Sequence, residues 1–80
     1  MESANNLKKI RIVEGLTITE LAALSRVSAK VISQTERNLR EPKAVTKAKI
    51  LKALNSGYPG QNKYVFKDVF PEGPDSEYFE

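Results

Sequence analysis

One short segment, residues 27–38 (VSAKVISQTERN), has polar side chains at helical spacing. Ser28 can cap a helix that starts at the next residue. At about 100° per residue, apolar side chains fall on one arc of this helix and small or polar ones on the other. The polar arc comprises Ala29, Lys30, Ser33, Gln34 and Arg37. It offers an amide and two cations to a partner rich in hydrogen-bond acceptors.

The composition indicates a binding protein rather than an enzyme. The chain has no histidine and no cysteine, which removes the commonest general base and the usual metal ligands. No nucleophile–base pair is visible, so we expect no catalysis, no cofactor and no metal. Eighty residues make one small domain,. No apolar run approaches the roughly 18–20 residues of a membrane span and no signal-peptide pattern is present, so we expect a cytoplasmic location.

The net charge of +3 conceals an asymmetry along the chain. Residues 1–67 hold all 13 Lys and Arg residues and only five of the ten acids. Residues 68–80 hold the other five acids and no base. A basic body with an acidic end favours a polyanionic partner for the body, and the alternative is an ordinary solvated surface.

The first periodic stretch, residues 5–15, predicts a helix. Asn5 or Asn6 can cap it, and Gly15 fits the left-handed residue that commonly follows a helix. One face of this helix carries Leu7, Ile10, Arg11 and Glu14,. Ile12 points the other way, among lysines, where no core explains it.

Two further predicted helices are separated by about three residues. The second helix begins at Thr17, whose hydroxyl forms a capping box with the Glu20 carboxylate. The third begins after Ser28 and should end near Arg37, with Asn38 in the left-handed region. This is the spacing of a helix-turn-helix, whose second helix enters the DNA major groove.

The rest of the chain predicts two more helices and a tail. A fourth helix over residues 43–54 should start after Pro42 and bury Ile50, Leu51 and Leu54. Residues 63–70 (KYVFKDVF) predict a final single-turn helix, and a strand is the alternative because of their β-branched and aromatic content. The acidic segment 71–80, broken by Pro and Gly, predicts a disordered tail.

The order of these predicted helices, caps and turns along the chain resembles that of the phage-repressor and Cro-like class of helix-turn-helix DNA-binding domains. The resemblance covers about residues 7–70 and is carried by Leu7, Ile10-Arg11, Gly15-Leu16-Thr17, Glu20-Leu21-Ala22, Val27-Ser28, Ile32-Ser33, Glu36, Pro42, Thr46, Ile50 and Ala53-Leu54. It implies an all-α bundle of five short helices over residues 1–70, in which residues 17–37 form the reading unit. It also implies a structural ion pair between Arg11 and Glu36.

Three positions depart from the usual pattern of this family. Ile18 stands where Gln is common at the start of helix two, so the Thr17 hydroxyl and helix-terminal N–H groups would have to contact phosphate instead. Arg26 stands where the turn commonly has Gly, at a cost of the order of 1 kcal/mol if that residue is left-handed. Asn38 stands where Gly commonly follows helix three.

The resemblance gives the polar arc a role in reading base edges. Gln34 can bond N6 and N7 of adenine, Lys30 can donate to O6 and N7 of guanine, and Ala29 can pack on a thymine methyl. Ser33 permits close approach or bonds a phosphate. The predicted phosphate contacts are Thr17, Ser28, Arg37, Asn38, Arg40 and Lys43. The alternative for Lys30 and Gln34 is that they are ordinary solvated helix residues.

We therefore expect a sequence-specific regulator of transcription that binds double-stranded DNA. We expect a repressor that acts as a homodimer on a pseudo-palindromic operator and lies on the nucleoid when bound. The segment 65–70 and the outward Ile12 are the candidates for the dimer interface. The alternative is an antitoxin or adaptor whose acidic tail, with Tyr78 and Phe79, binds a protein partner.

Overall fold

The computed structural model describes residues 5–71, and these residues form five helices and no strand. The helices are α1 (Leu7–Val13), α2 (Ile18–Ser25), α3 (Ala29–Glu36), α4 (Ala44–Leu54) and α5 (Phe66–Val69). The predicted all-α architecture is confirmed, and the segment 63–70 ends in a helix rather than the alternative strand. The predicted acidic tail, apart from Pro71, lies outside the described residues.

Both asparagines at the start of the chain contribute to the beginning of α1. The Asn6 carbonyl accepts the N–H of Ile10 at 3.0 Å, and the Asn5 side-chain oxygen accepts the N–H of Leu7 at 3.0 Å. The Asn6 backbone N–H also donates to the carbonyl of Val69 at 2.8 Å. The first and last helices are therefore joined at this point.

A left-handed residue ends α1 and turns the chain toward α2. Gly15 has φ +74°, its N–H donates to the carbonyl of Ile12, and the N–H of Leu16 donates to the carbonyl of Arg11. These two bonds make a Schellman motif. The predicted capping box then opens α2, because the Thr17 hydroxyl accepts the Glu20 N–H at 3.0 Å and the Glu20 carboxylate accepts the Thr17 N–H at 2.8 Å.

The turn between α2 and α3 has the predicted length of three residues and the predicted cap at Ser28. Arg26 adopts the left-handed conformation with φ 61°, which costs about 1–2 kcal/mol for a residue with a Cβ atom. Val27 follows and is buried. The Ser28 hydroxyl then caps α3 by accepting the N–H of Val31 at 3.2 Å.

The core lies where α2 packs against α3 and α4, with α1 against α3 and α5 against α4. Its fully or nearly buried apolar side chains are Leu7, Leu21, Val27, Ile32, Ile50, Ala53, Leu54, Phe66, Val69 and Phe70. Two of the three residues predicted to be buried on α4, Ile50 and Leu54, belong to this cluster. Leu51 is only half-buried, at the edge of the core, so that prediction was wrong in degree. Ile12 is 57% exposed, as its outward position predicted.

A polar cluster joins the end of α1 to the loop that follows α4. The Glu14 carboxylate accepts hydrogen bonds from the hydroxyls of Tyr58, at 3.0 Å, and Tyr64. The Lys63 ammonium lies 3.5 Å from the same carboxylate and packs over the Tyr58 ring at 4.4 Å. The Tyr64 hydrogen bond is the largest of the effects that lower the pKa of Glu14.

This lowered pKa makes part of the stability depend on pH. A carboxylate with a depressed pKa in the folded state stabilises the fold above its unfolded pKa of about 4.3, and this contribution is lost as the pH falls through the folded pKa. Tyr64→Phe removes the largest cause, so it should lower the free energy of unfolding by about 1 kcal/mol at pH 7 and by less near pH 2. Urea unfolding at both pH values measures this, with Tyr58→Phe as the weaker control. An equal loss at both pH values would contradict the assignment.

Candidate nucleic-acid interface

The polar arc of α3 lies at the protein surface. Ala29 and Lys30 are exposed, and Ser33 and Gln34 are half-buried. The opposite arc is buried through Ile32, Thr35 and Glu36. The structure therefore brings together on one helix face the four residues that the sequence analysis proposed as base contacts: Ala29, Lys30, Ser33 and Gln34.

A buried ion pair fixes α3 against α1. The Arg11 Nε donates to one Glu36 carboxylate oxygen at 2.6 Å, and an Arg11 terminal nitrogen donates to the other at 3.1 Å. The second terminal nitrogen donates to the carbonyl of Leu16 at 2.8 Å. Only 11% of the Arg11 side chain and 4% of the Glu36 side chain are exposed. The bond to Glu36 is the main cause that raises the pKa of Arg11, so this guanidinium stays charged.

The caps of α2 and α3 use part of the hydrogen-bonding capacity proposed for phosphate. The N–H groups of Thr17 and Glu20 are already engaged in the capping box. Neither can therefore take the place of the glutamine side-chain amide that the family commonly has at the position of Ile18. Each hydroxyl that accepts a bond in a cap keeps its own O–H as a donor. Thr17 and Ser28, both exposed, can still contact phosphate through these donors.

Basic and polar side chains lie near both ends of α3. Arg37, Asn38, Arg40 and Lys43, proposed as phosphate contacts, are all exposed. A cleft of about 420 Å³ lies between the α2–α3 turn, the loop 38–43 and α4. Its charged lining is mostly basic: Arg26, Arg40, Glu41, Lys43 and Lys49. Lys49 was not among the residues proposed from the sequence, although it follows Lys43 and Thr46 at helical spacing.

The structure links two residues that the sequence analysis treated separately. The Arg40 Nε donates to the Gln34 side-chain oxygen at 3.0 Å. A proposed phosphate contact and a proposed base contact therefore belong to one hydrogen-bonded unit. Nothing in the sequence pattern marks this bond, because it depends on how the chain turns after α3.

Lys47 is a second residue that the sequence analysis missed. Its side chain is only 1% exposed, its ammonium pairs with Glu41 of the loop 38–43, and it lies 5.3 Å from the centre of the Phe70 ring. A signal was present, since Lys47, Ile50 and Leu54 are spaced i, i+3 and i+7 on the buried face of α4. The ion pair ties that loop to the core.

The described part of the chain contains neither a cluster of metal ligands nor a membrane-spanning helix. Residues 5–71 hold no group of three or more carboxylate, imidazole or thiol side chains placed to bind a metal ion. None of their helices is both long enough and apolar enough to cross a membrane.

The order of the helices, the turn at Arg26 and the exposed arc of α3 define a helix-turn-helix protein. Residues 7–59 match the family model described as "Helix-turn-helix", which is the Cro/C1 type of this fold. The chain belongs to this family, as the sequence resemblance predicted, and it is a DNA-binding regulator of transcription. It has no significant match among curated proteins or among solved structures.

Proposed function

We propose that this protein represses transcription by occupying a pseudo-palindromic operator as a homodimer. The observation that carries the proposal is the exposed polar arc of α3, which the buried pair of Arg11 and Glu36 fixes against the rest of the domain. A helix held in this way can enter the major groove without changing its orientation, so its side chains meet base edges at defined positions.

In this proposal three side chains of α3 read bases. The Gln34 amide bonds N6 and N7 of adenine, the Lys30 ammonium donates to O6 and N7 of guanine, and Ala29 packs on a thymine methyl. Ser33 is small enough for close approach, and its hydroxyl can reach a phosphate. These contacts specify sequence, whereas the contacts to phosphate fix the position of the protein on the duplex.

The phosphate contacts are assigned to both ends of the reading unit. On one side they are the hydroxyls of Thr17 and Ser28, and on the other they are Arg37, Asn38, Arg40 and Lys43. All six residues are exposed. Arg26 and Lys49 join this set because they line the basic cleft beside α3.

A dimer follows from the small size of the interface that one domain offers. A single module contacts only a few base pairs, and two copies on neighbouring half-sites give useful affinity and specificity. Within the segment 65–70, Phe66, Val69 and Phe70 belong to the core, so this segment offers mainly Val65, which is 53% exposed. Ile12 is the other proposed candidate, and it is exposed together with its neighbour Val13.

The test of this function is selection of bound duplexes from a random pool with the full-length chain. We expect a recovered site with two related half-sites about one helical turn apart. Sedimentation of the complex should then give two chains per duplex. A pool without any enriched sequence would contradict specific recognition, and a single half-site bound by one chain would contradict the dimer.

Replacing Gln34, the residue proposed to contact adenine, should change the base preference of the protein. Gln34→Ala should cost about 1–3 kcal/mol on the selected operator and relax the choice at one base pair per half-site. Lys43→Ala is the matched control, because it should weaken binding to all duplexes alike and lower the salt slope by about one unit. Titrations against the operator and against single-base variants measure both effects. An unchanged base preference in Gln34→Ala would show that α3 does not read through this residue.

A further inference from the structure

We propose that Arg40 is a positioning residue for Gln34, and that it determines which base Gln34 selects by fixing the direction of its amide. This inference rests on the proposed function, in which α3 reads base edges. A phosphate contact by Arg40 would affect affinity alone. As a positioning residue, Arg40 affects sequence specificity as well.

The backbone after α3 brings the two side chains together. Asn38 is left-handed with φ 61°, its N–H donates to the carbonyl of Thr35 at 3.1 Å, and the N–H of Leu39 donates to the carbonyl of Gln34 at 2.8 Å. These bonds form a Schellman motif, which reverses the chain at the end of the helix. The reversal places Arg40 beside the side chain of Gln34, where its Nε donates to the amide oxygen at 3.0 Å.

The bond to Arg40 selects one of two amide orientations. Rotation of a glutamine amide by 180° exchanges its oxygen with its NH2 group, so an unrestrained amide can present either group in one direction. A guanidinium has five donors and no acceptor. The rotated amide would place NH2 against these donors, so Arg40 keeps the oxygen on its own side.

A fixed amide discriminates between the two purines. Adenine offers an acceptor at N7 and a donor at N6, so it needs one amide donor and one amide acceptor in a fixed order. The Gln34 oxygen has two lone pairs, and Arg40 uses one of them, which leaves the other for the adenine N6 hydrogen. Guanine offers acceptors at both N7 and O6, so it suits an amide that is free to turn its NH2 group toward the base.

The neighbouring ion pair leaves Arg40 available for this role. Glu41 is the next residue and the nearest carboxylate in sequence, and it pairs with the buried Lys47. The charge of Arg40, which is exposed, can therefore face a phosphate while its Nε remains on Gln34. One side chain would thus connect the DNA backbone to the base-reading amide.

Arginine-to-lysine variants separate the effect of the positive charge from the effect on the direction of the Gln34 amide. Lysine keeps the positive charge but lacks the planar Nε donor that holds the amide oxygen. Arg37→Lys is the matched control, since Arg37 is also exposed at the end of α3 and makes no hydrogen bond to Gln34 among the contacts described for residues 5–71. Selection from a random pool and operator titrations are run on the full-length wild type, Arg40→Lys, Arg37→Lys, Gln34→Ala and the double variant Arg40→Lys/Gln34→Ala.

We expect Arg40→Lys to relax the preference for adenine over guanine at one base pair per half-site. The affinity for the selected operator should fall about 2- to 10-fold, with an unchanged salt slope because the charge is kept. Arg37→Lys should keep the full base preference. In the Gln34→Ala background, Arg40→Lys should produce no further change in base preference, because the amide it directs is gone.

Two results would overturn the proposal in distinguishable ways. If Gln34→Ala relaxed the base preference while Arg40→Lys kept it intact, the positioning role would be refuted and the reading role of Gln34 would stand. If neither variant altered the base preference, both roles would be refuted. Both side chains lie at the surface, so neither substitution is expected to prevent folding.

Discussion

Glu36→Ala is expected to lower the free energy of unfolding by about 3–5 kcal/mol. The substitution leaves the Arg11 guanidinium buried without the carboxylate that binds it at 2.6 and 3.1 Å. The guanidinium still donates to the carbonyl of Leu16 at 2.8 Å, but this group carries no compensating charge. The loss comes mainly from this uncompensated buried charge rather than from the attraction within the pair.

Glu20→Ala is the control for this prediction. Glu20 is an exposed helical glutamate whose carboxylate accepts a hydrogen bond from a backbone N–H, so its loss should cost only about 0.3–1 kcal/mol. The double variant Arg11→Met/Glu36→Leu removes both charges and should recover most of the loss. Thermal and urea unfolding of the three variants measure the effects. Equal, small losses in Glu36→Ala and Glu20→Ala would mean that the pair does not stabilise the fold.

The local features of this fold were predictable because their signals lie within a few residues. The capping box of Thr17 and Glu20 spans three residues, as does the cap from Ser28 to Val31. Asn38 was predicted as the left-handed residue after α3, and the structure has it so. For Arg26 a left-handed conformation was only a condition, raised by the Gly that the family commonly has there. Helical spacing predicted the exposed arc of α3 for the same reason.

The long-range contacts were not predictable from spacing. Glu14 meets Tyr58 and Tyr64, which are 44 and 50 residues away in the chain, and a local pattern cannot bring such residues together. The Arg11–Glu36 pair spans 25 residues and was expected only through the family resemblance. The bond from Arg40 to Gln34 spans six residues, but it requires the reversal at Asn38 to form.

The segment 65–70 shows that the same apolar pattern can indicate either a core helix or an interface. Its aromatic and β-branched residues indicated an apolar surface for a second chain. Phe66 and Phe70 instead pack in the core, with ring centres 5.8 Å apart. A domain of this size has few large apolar residues to bury. The apolar residues of its last helix are therefore used in the core and are not left for an interface.

Lys47→Ala is expected to lower the free energy of unfolding by about 2–4 kcal/mol. The side chain is 1% exposed, so truncation empties the space that its four-carbon stem fills between α4 and Phe70. The same change removes the ion pair with Glu41 and the contact of the ammonium with the aromatic ring. Lys52→Ala is the matched control on the same helix, because Lys52 is exposed and should change stability by no more than about 0.5 kcal/mol.

Lys47→Met separates the stem of this lysine from its charge. Methionine fills most of the same volume without a buried charge, so the loss should stay within about 1.5 kcal/mol. A loss as large as that of Lys47→Ala would show that the ammonium, rather than the stem, stabilises the fold.

The methionine variant should also bind DNA more weakly than wild type. Glu41 then loses its partner Lys47 in a loop proposed to contact phosphate, and its free carboxylate repels the phosphates of the DNA. Adding Glu41→Gln should restore the affinity, and a double variant that still bound as weakly as Lys47→Met would refute this role of the pair.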